Sequence, residues 1–312
     1  MFHRLTVFDV SNEPNIAAID QAFHVLRTQA PKHHYRPNAG YAVHQWQWAS
    51  DENSYSAEGS NSANGSNSIN DHAPEFILGL KGMLKNLSQQ QNIDYVLQCS
   101  MQPIQKIKLA VFDMDSTLIQ AEVMDELAYA MGIGPQVALI TARSMAGELD
   151  FEQSFRQRLA LLKGFDTAQL SAINQAIELM PGAQNLMKGF QQQGIHCAIV
   201  SGGFSYFADD LAQTLGMQQA FSNALEEEDG KLTGQLTGAI LDATKKVQLM
   251  EKMRTTLGLS IGQCLAVGDG ANDLPMLNKA GLGVAFHGKP LVREQSPHQI
   301  NNFDLDVLLH LV

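Results

Sequence analysis

Short apolar runs and helically spaced apolar positions alternate along most of this chain, and their rhythm changes near residue 106. Residues 2–10 (FHRLTVFDV) read as a strand, after which Ile16, Ile19, Phe23 and Leu26 recur at the spacing of one helical face. Tyr41 to Trp48 forms a further strand pattern. Residues 50–73 (SDENSYSAEGSNSANGSNSINDHA) hold too little apolar surface to offset the entropy of ordering, so a disordered, mobile loop is expected. Phe76, Leu80, Leu84 and Leu87 then mark a helix, and Ile93, Tyr95, Leu97 and Cys99 alternate as in a half-buried strand. Residues 1–101 are thus expected to form a small α+β module of order β-α-β-(loop)-α-β.

From residue 102 to 312 the apolar runs are short and nearly continuous: KLAVF at 108–112, CAIV at 197–200, CLAV at 264–267 and GVAF at 283–286. Such runs between helical stretches predict an α/β domain, a doubly wound parallel sheet covered on both faces. Residues 122–190 carry helical periodicity without a strand and are too many for a simple crossover, which predicts a helical cap insertion. Asp229-Gly230 between FSNALEEE and KLTGQLTG is a hairpin turn signal, with Glu226, Glu227 and Glu228 as a solvated edge.

Composition narrows the function. Hydrophobic residues make up 45% of the chain and charged ones 17%, as in globular proteins. The 32 acidic side chains outnumber the 21 basic ones, and a net charge of −11 repels nucleic acid and anionic lipid surfaces. No run approaches the roughly 20 apolar residues that span a bilayer, and no basic segment followed by an apolar signal core opens the chain. A cytoplasmic protein without nucleic-acid or membrane partners is expected. Cys99, Cys197 and Cys264 have no metal-type spacing and read as buried, reduced thiols, and the ten histidines contain no zinc-type pair. Trp46 and Trp48 are expected to pack within the first module or at an interface.

The candidate chemistry sits at strand ends, where open α/β sheets bind ligands. Directly after KLAVF comes DMDST, with Asp113 and Asp115 separated by one residue. After CAIV comes Ser201-Gly202-Gly203, a hydroxyl and two glycines that let backbone N–H groups approach a phosphate, although such a tripeptide is also an ordinary turn. After CLAV comes GDGANDLPML, with Asp269 at a third strand end and Asp273 one helical turn later. Magnesium takes oxygen ligands and retains waters and phosphate oxygens, so Asp113 and Asp269, with Asp273 as a third candidate, suit Mg2+. In-line phosphoryl transfer further needs charge neutralisation, for which Ser201, Gly202 and either Lys245 or Lys246 are candidates, Lys246 being favoured. A carboxylate can form an aspartyl-phosphate while a second one moves the proton.

The ordered set DMDST, SGG, a lysine, and GDGANDLPML resembles the haloacid dehalogenase superfamily across residues 106–312. Within it, FEQSFRQRLALLKG (151–164) is similar to the substrate-recognition helix of the phosphoserine phosphatases. This resemblance implies hydrolysis of phosphoserine to serine and phosphate, the last step of serine biosynthesis. It implies Asp113 as nucleophile, Asp115 as acid and base, and a metal on Asp113, the Asp115 carbonyl and Asp269. It further implies Glu122 for the substrate ammonium, Arg158 for its carboxylate, Ser201, Gly202 and Lys246 for phosphate, Met145, Phe151 and Asn272 as lining, and Gly203 and Asp273 as support. Residues 1–101 resemble an ACT-like domain with one strand replaced by the Ser/Asn-rich loop, which implies a homodimer through this module or regulation by a small ligand. Rival readings are a phosphatase or phosphotransferase acting on another small phosphomonoester, and an inert amino-acid-sensing protein; retention of Asp113, Asp115 and Asp269 argues against the second.

Overall fold

A computed structural model describes residues 2–9, 32–38, 41–49, 75–91 and 93–312. The helix expected over Ile16 to Leu26 and the loop expected at 50–73 lie outside these residues, as does the Trp48 side chain. The chain divides into two compact units, one of residues 1–105 with 300–303 and 311, the other of 106–299 with 304–310 and 312.

In the first unit, β1 (Phe2–Asp9), β2 (Lys32–Asn38), β3 (Tyr41–Ala49) and β4 (Asp94–Ser100) form an antiparallel sheet of order β2-β3-β1-β4. Strand β2 corrects the expectation that the Ser/Asn-rich stretch replaces a strand. Its sequence, KHHYRPN, has no apolar alternation and contains Pro37, and it is ordered by pairing with β3 at the sheet edge, where such residues are tolerated. Helix α1 (Glu75–Gln91) places Ile77, Leu80 and Leu84 against Leu5, Val7, Trp46, Ile93 and Leu97 in one core. Trp46 therefore packs within the unit. Buried Asp94 is satisfied by the backbone N–H groups of Asn301 and Asn302, each at 2.7 Å.

In the second unit, β5 (Leu109–Phe112), β6 (His196–Phe204), β7 (Gln219–Asn223), β10 (Cys264–Gly268) and β11 (Leu282–Phe286) run parallel in the order β11-β10-β5-β6-β7. Strands β5, β10 and β11 are buried at every position, which is why their sequences are continuous apolar runs rather than alternating ones. The chain builds outward from β5 to β7 and then returns to add β10 on the other side of β5, so the topological switch lies beside β5.

Between β5 and β6 come α2 (Val123–Ala130), α3 (Gly134–Met145), α4 (Phe151–Leu161) and α5 (Leu170–Ala176), followed by α6 (Ala183–Gln192), and α7 (Ser205–Leu215) joins β6 to β7. Helix α4 begins with a capping box in which Asp150 accepts from the Gln153 N–H and the Gln153 side chain accepts from the Asp150 N–H. The hairpin of β8 (Leu225–Glu228) and β9 (Lys231–Leu236) turns at Asp229-Gly230, whose φ angles of 51° and 74° are those of the turn that matches strand twist. Glu226 and Glu227 accept hydrogen bonds from Thr233 and Thr167, so they are not a wholly solvated edge. All three cysteines are free thiols; Cys197 and Cys264 are buried and Cys99 half-buried. Among the described residues no helix is long and apolar enough to cross a membrane.

Helix α9 (Leu274–Lys279) lies on β11 at Gly283, where an added Cβ would meet the Leu277 carbonyl group. Backbone cannot yield as a side-chain tip can. Gly283→Ala should therefore lower the urea midpoint by an amount equivalent to about 3 kcal/mol, measured by equilibrium unfolding.

Candidate active site

Strand β5 delivers Asp113 to the switch point, and the Asp113 N–H donates to the Val267 carbonyl at 2.9 Å, continuing the pairing with β10. The Met114 N–H then donates to Asp113 Oδ1 at 2.8 Å, which fixes the carboxylate. Ser116 adopts a φ of 55°, uncommon for a residue with a side chain, and this turns the loop after Asp115. Asp115 Oδ1 is buried without a hydrogen-bond partner among the described residues. Burial, then the charges of Glu122 and Asp113, push the Asp115 carboxyl well above the ordinary range, against the Val123 N–H and Lys246. Of the two aspartates in DMDST, Asp115 is thus the one suited to carry a proton.

Ser201-Gly202-Gly203 is not a turn after a strand, as the sequence implied. Strand β6 continues through all three residues to Phe204, with an irregularity in its pairing to β7 between Val200 and Phe204. The Gly203 N–H donates to buried Ser201 Oγ at 2.9 Å, and an added Cβ at Gly203 would crowd the Met114 side chain and Asp115 Oδ2. The glycine is therefore required for close approach of the first and second strand ends. Asn223, at the end of β7, donates to the Gly202 carbonyl and accepts from the Leu241 N–H, both at 2.7 Å. This buried clamp on the Ser-Gly-Gly segment was not legible in the sequence, where an asparagine at a strand end is unremarkable.

Helix α8 (Ala243–Thr256) resolves the two adjacent lysines geometrically. Lys246 is fully buried, with Nζ 2.9 Å from Asp113 Oδ1 and 2.6 Å from Asp273 Oδ1, whereas Lys245 is only half-buried and its N–H is capped by Asp242. Burial alone would lower Lys246, but the charges of Asp113 and Asp273 outweigh it and push the ammonium up. Asp273 also accepts from the Gly270 N–H at 3.0 Å, so both its oxygens are engaged. Asp269, at the end of β10, is buried, and this desolvation pushes its carboxyl up to about 6 despite nearby Lys289.

The cap supplies the facing wall of a cavity of about 470 Å³ that contains Asp113, Asp115, Glu122, Met145, Phe151, Arg158, Ser201, Gly202, Gly203, Asp269 and Asn272. Lys246 and Asp273 are not among its lining residues; buried Lys246 bridges Asp113 and Asp273. Phe151 stacks on Phe155 at 6.1 Å and Phe155 packs on Phe204 at 6.2 Å, which joins α4 to the end of β6 and brings Arg158 round to the cavity. Glu122 precedes α2, and its Oε1 accepts from Ser116 Oγ at 3.1 Å. Three lining residues with polar side chains had no signal in the cap or loop patterns: Asp125, Thr141 and Lys289. For Lys289 a usable clue exists, since it follows GVAF, the fourth strand end.

A family model of haloacid dehalogenase-like hydrolases matches residues 107–281. The chain belongs to this family. As a haloacid dehalogenase-like hydrolase it is 40% identical over 222 residues to the phosphoserine phosphatase of Archaeoglobus fulgidus, covering 71% of this chain and 64% of that protein. It is 46% identical over 204 residues to the phosphoserine phosphatase of Haemophilus influenzae, covering 65% of each. The chain thus spans less than two thirds of these relatives' own length. The crystal structure of a hydrolase of the same family from Salmonella enterica serovar Typhi superposes with a TM-score of 0.81 at 31% identity, over 99% of this chain and 98% of that one.

Phosphatases of this family generally use a divalent metal, and the donor set fits one. Asp113, Asp269 and Asp273 each offer an oxygen, all within 4.8 Å of one another, and hard oxygen donors are what such a cation requires. With Asp273 occupied by Lys246 and Gly270, Asp113 and Asp269 are the carboxylates that each keep an oxygen outside the contacts to Lys246, Met114 and Lys289.

Proposed function

We propose that the chain hydrolyses O-phospho-L-serine to L-serine and phosphate, with Mg2+ held by Asp113, Asp269 and the Asp115 backbone carbonyl. The observation that carries this reading is one cavity in which the Asp113/Asp115 pair faces both an acidic and a basic side chain of the cap region, Glu122 and Arg158. A zwitterionic phosphoamino acid requires both: an anion for its ammonium and a planar guanidinium for its carboxylate. The names of the curated relatives support the same substrate.

When bound, the metal supplies charge neutralisation for the phosphoryl oxygens. In the first step an Asp113 oxygen attacks phosphorus, the bond from phosphorus to the serine oxygen breaks, and Asp115 gives its proton to that oxygen. Serine leaves, with an aspartyl-phosphate on Asp113. Asp115, now a carboxylate, takes a proton from a water whose oxygen attacks phosphorus, and the bond to Asp113 breaks to release phosphate. The burial that raises Asp115 keeps it protonated for the first half. Ser201, the Gly202 backbone and Lys246 hold the phosphate oxygens, and the two glycines leave room for them. Met145, Phe151 and Asn272 bound the substrate, with Gly203 and Asp273 in support. The cap excludes bulk water during the reaction.

The test is phosphate release from L-phosphoserine, phosphothreonine, a sugar phosphate and an aryl phosphate, with Mg2+ or with chelator. Release that favours phosphoserine and disappears with chelator is expected; preference for another ester would retain the chemistry and discard the substrate. Arg158→Ala should raise KM for phosphoserine roughly 50-fold, the worth of a charge-assisted hydrogen bond. The same substitution should change KM for phosphoethanolamine, which keeps the ammonium and lacks the carboxylate, by less than about threefold. Equal loss on both esters would remove Arg158 from carboxylate recognition.

For the first unit we carry the ACT-like reading, supported by the antiparallel order β2-β3-β1-β4 with a helix between β3 and β4. The edge strand β2 is a surface through which such a unit could join a second copy into a homodimer. The net charge of −11 supports a cytoplasmic setting away from nucleic acid and membranes.

A further inference from the structure

Lys289 is absent from the roles assigned above, yet its ammonium touches two of the carboxylates assigned there. Its Nζ lies 3.3 Å from Glu122 Oε1 and 3.3 Å from Asp269 Oδ2. The two partners differ sharply: the Glu122 side chain is 44% exposed and the Asp269 side chain 6%. An ion pair between exposed groups contributes little, but an ammonium resting on a carboxylate withdrawn from water offsets a real desolvation cost.

The backbone holds this lysine where it must be. The Lys289 N–H donates to the Asp269 carbonyl at 3.0 Å, and Pro290 immediately opens helix α10 (Pro290–Gln295). The preceding His287 has a φ of 46°, so the segment turns sharply off the end of β11 back towards β10. The side chain, in contrast, is 61% exposed and has four rotatable methylenes. An anchored Cα with a loose ammonium is suited to leaving and returning. Lys246 is not: it is fully buried between Asp113 and Asp273.

We propose that Lys289 is a displaceable internal cation that bridges Asp269 and Glu122 in the metal-free enzyme, competes with the metal for Asp269, and keeps only its contact to Glu122 when the metal binds. It is a positioning residue, since it acts through Asp269 and Glu122. The inference rests on the proposed metal site at Asp113 and Asp269. Its consequence is that the chain sets its own metal threshold: the ammonium steadies the acidic cluster while the site is empty and weakens cation binding by opposing it. Removing the ammonium should therefore tighten the metal, the opposite of what loss of a merely structural contact would do.

Calorimetric titration of Mg2+ into metal-stripped wild type, Lys289→Met and Lys289→Arg at low ionic strength tests this without recourse to activity. Lys289→Met should bind Mg2+ roughly tenfold tighter than wild type, as expected for relief of one like charge a few ångströms away in a partly solvated site. Lys289→Arg, which retains the charge, should stay within about threefold of wild type. A Lys289→Met affinity unchanged within twofold, or weaker than wild type, would overturn the proposal while leaving the metal site standing. If the wild type itself took up no Mg2+, the metal site would fall and the competition with it.

Discussion

Asp113→Asn should yield a folded protein whose phosphate release falls by on the order of ten-thousand-fold or more, because in the proposed mechanism Asp113 is the nucleophile and an amide cannot attack phosphorus. The substitution is nearly isosteric, and the local structure survives it. The amide oxygen can still accept from the Met114 N–H, and Lys246 keeps Asp273 at 2.6 Å. Phosphate release measured beside the melting temperature separates lost chemistry from lost fold. Activity within tenfold of wild type in a folded variant would move the nucleophile elsewhere in the cavity, with Asp115 next in line.

Lys246→Met has the largest expected effect on stability. The ammonium is fully buried between Asp113 and Asp273, and its removal leaves two carboxylates that share a dry site without a cation. Breaking one partner out of a buried ion pair costs about 3–5 kcal/mol, and under the proposed mechanism activity is lost with it, because Lys246 no longer holds Asp113 or neutralises the phosphate. The pH dependence has a definite sign. Burial and the neighbouring Asp113 already push Asp273 up, and loss of Lys246 pushes it further. A carboxyl raised in the folded state binds more protons there than when unfolded, so stability falls as pH rises. Urea unfolding should therefore show a smaller deficit for Lys246→Met at pH 5 than at pH 8. Adding Asp273→Asn should restore part of the stability and none of the activity, because it removes the charge repulsion without replacing the ammonium. A deficit that is equal at both pH values would mean that packing, not charge, dominates the loss.

Much of the second unit could be read from its sequence because its determinants are local. LAVF, CLAVG and LGVAF are apolar at every position because both faces of a parallel sheet are covered, and that requirement is written directly into the residues. Asp113, Ser201 and Asp269 follow such runs, so the rule that ligands gather at strand ends was enough to group them. The hairpin turn at Asp229-Gly230 was equally legible, since few residues other than glycine and its close substitutes accept those backbone angles. Strand β2 was not legible: KHHYRPN acquires its conformation from hydrogen bonds to β3 rather than from its own pattern.

By itself the sequence determined the fold class of the second unit, four of the five strands of its parallel sheet and the chemical type of their ends, while β7 (Gln219–Asn223), read as part of the hairpin, emerged only from its parallel pairing with β6. Which of two adjacent lysines turns inward to Asp113, that Asp273 serves Lys246, that Asn223 clamps Gly202 and Leu241, and that Lys289 reaches across to Glu122 and Asp269 were decided only in the tertiary structure. The physical reason is range. Periodicity and turn chemistry act over a few residues, whereas these contacts join positions such as Lys289 and Glu122, 167 residues apart, whose proximity depends on how whole strands and helices are stacked.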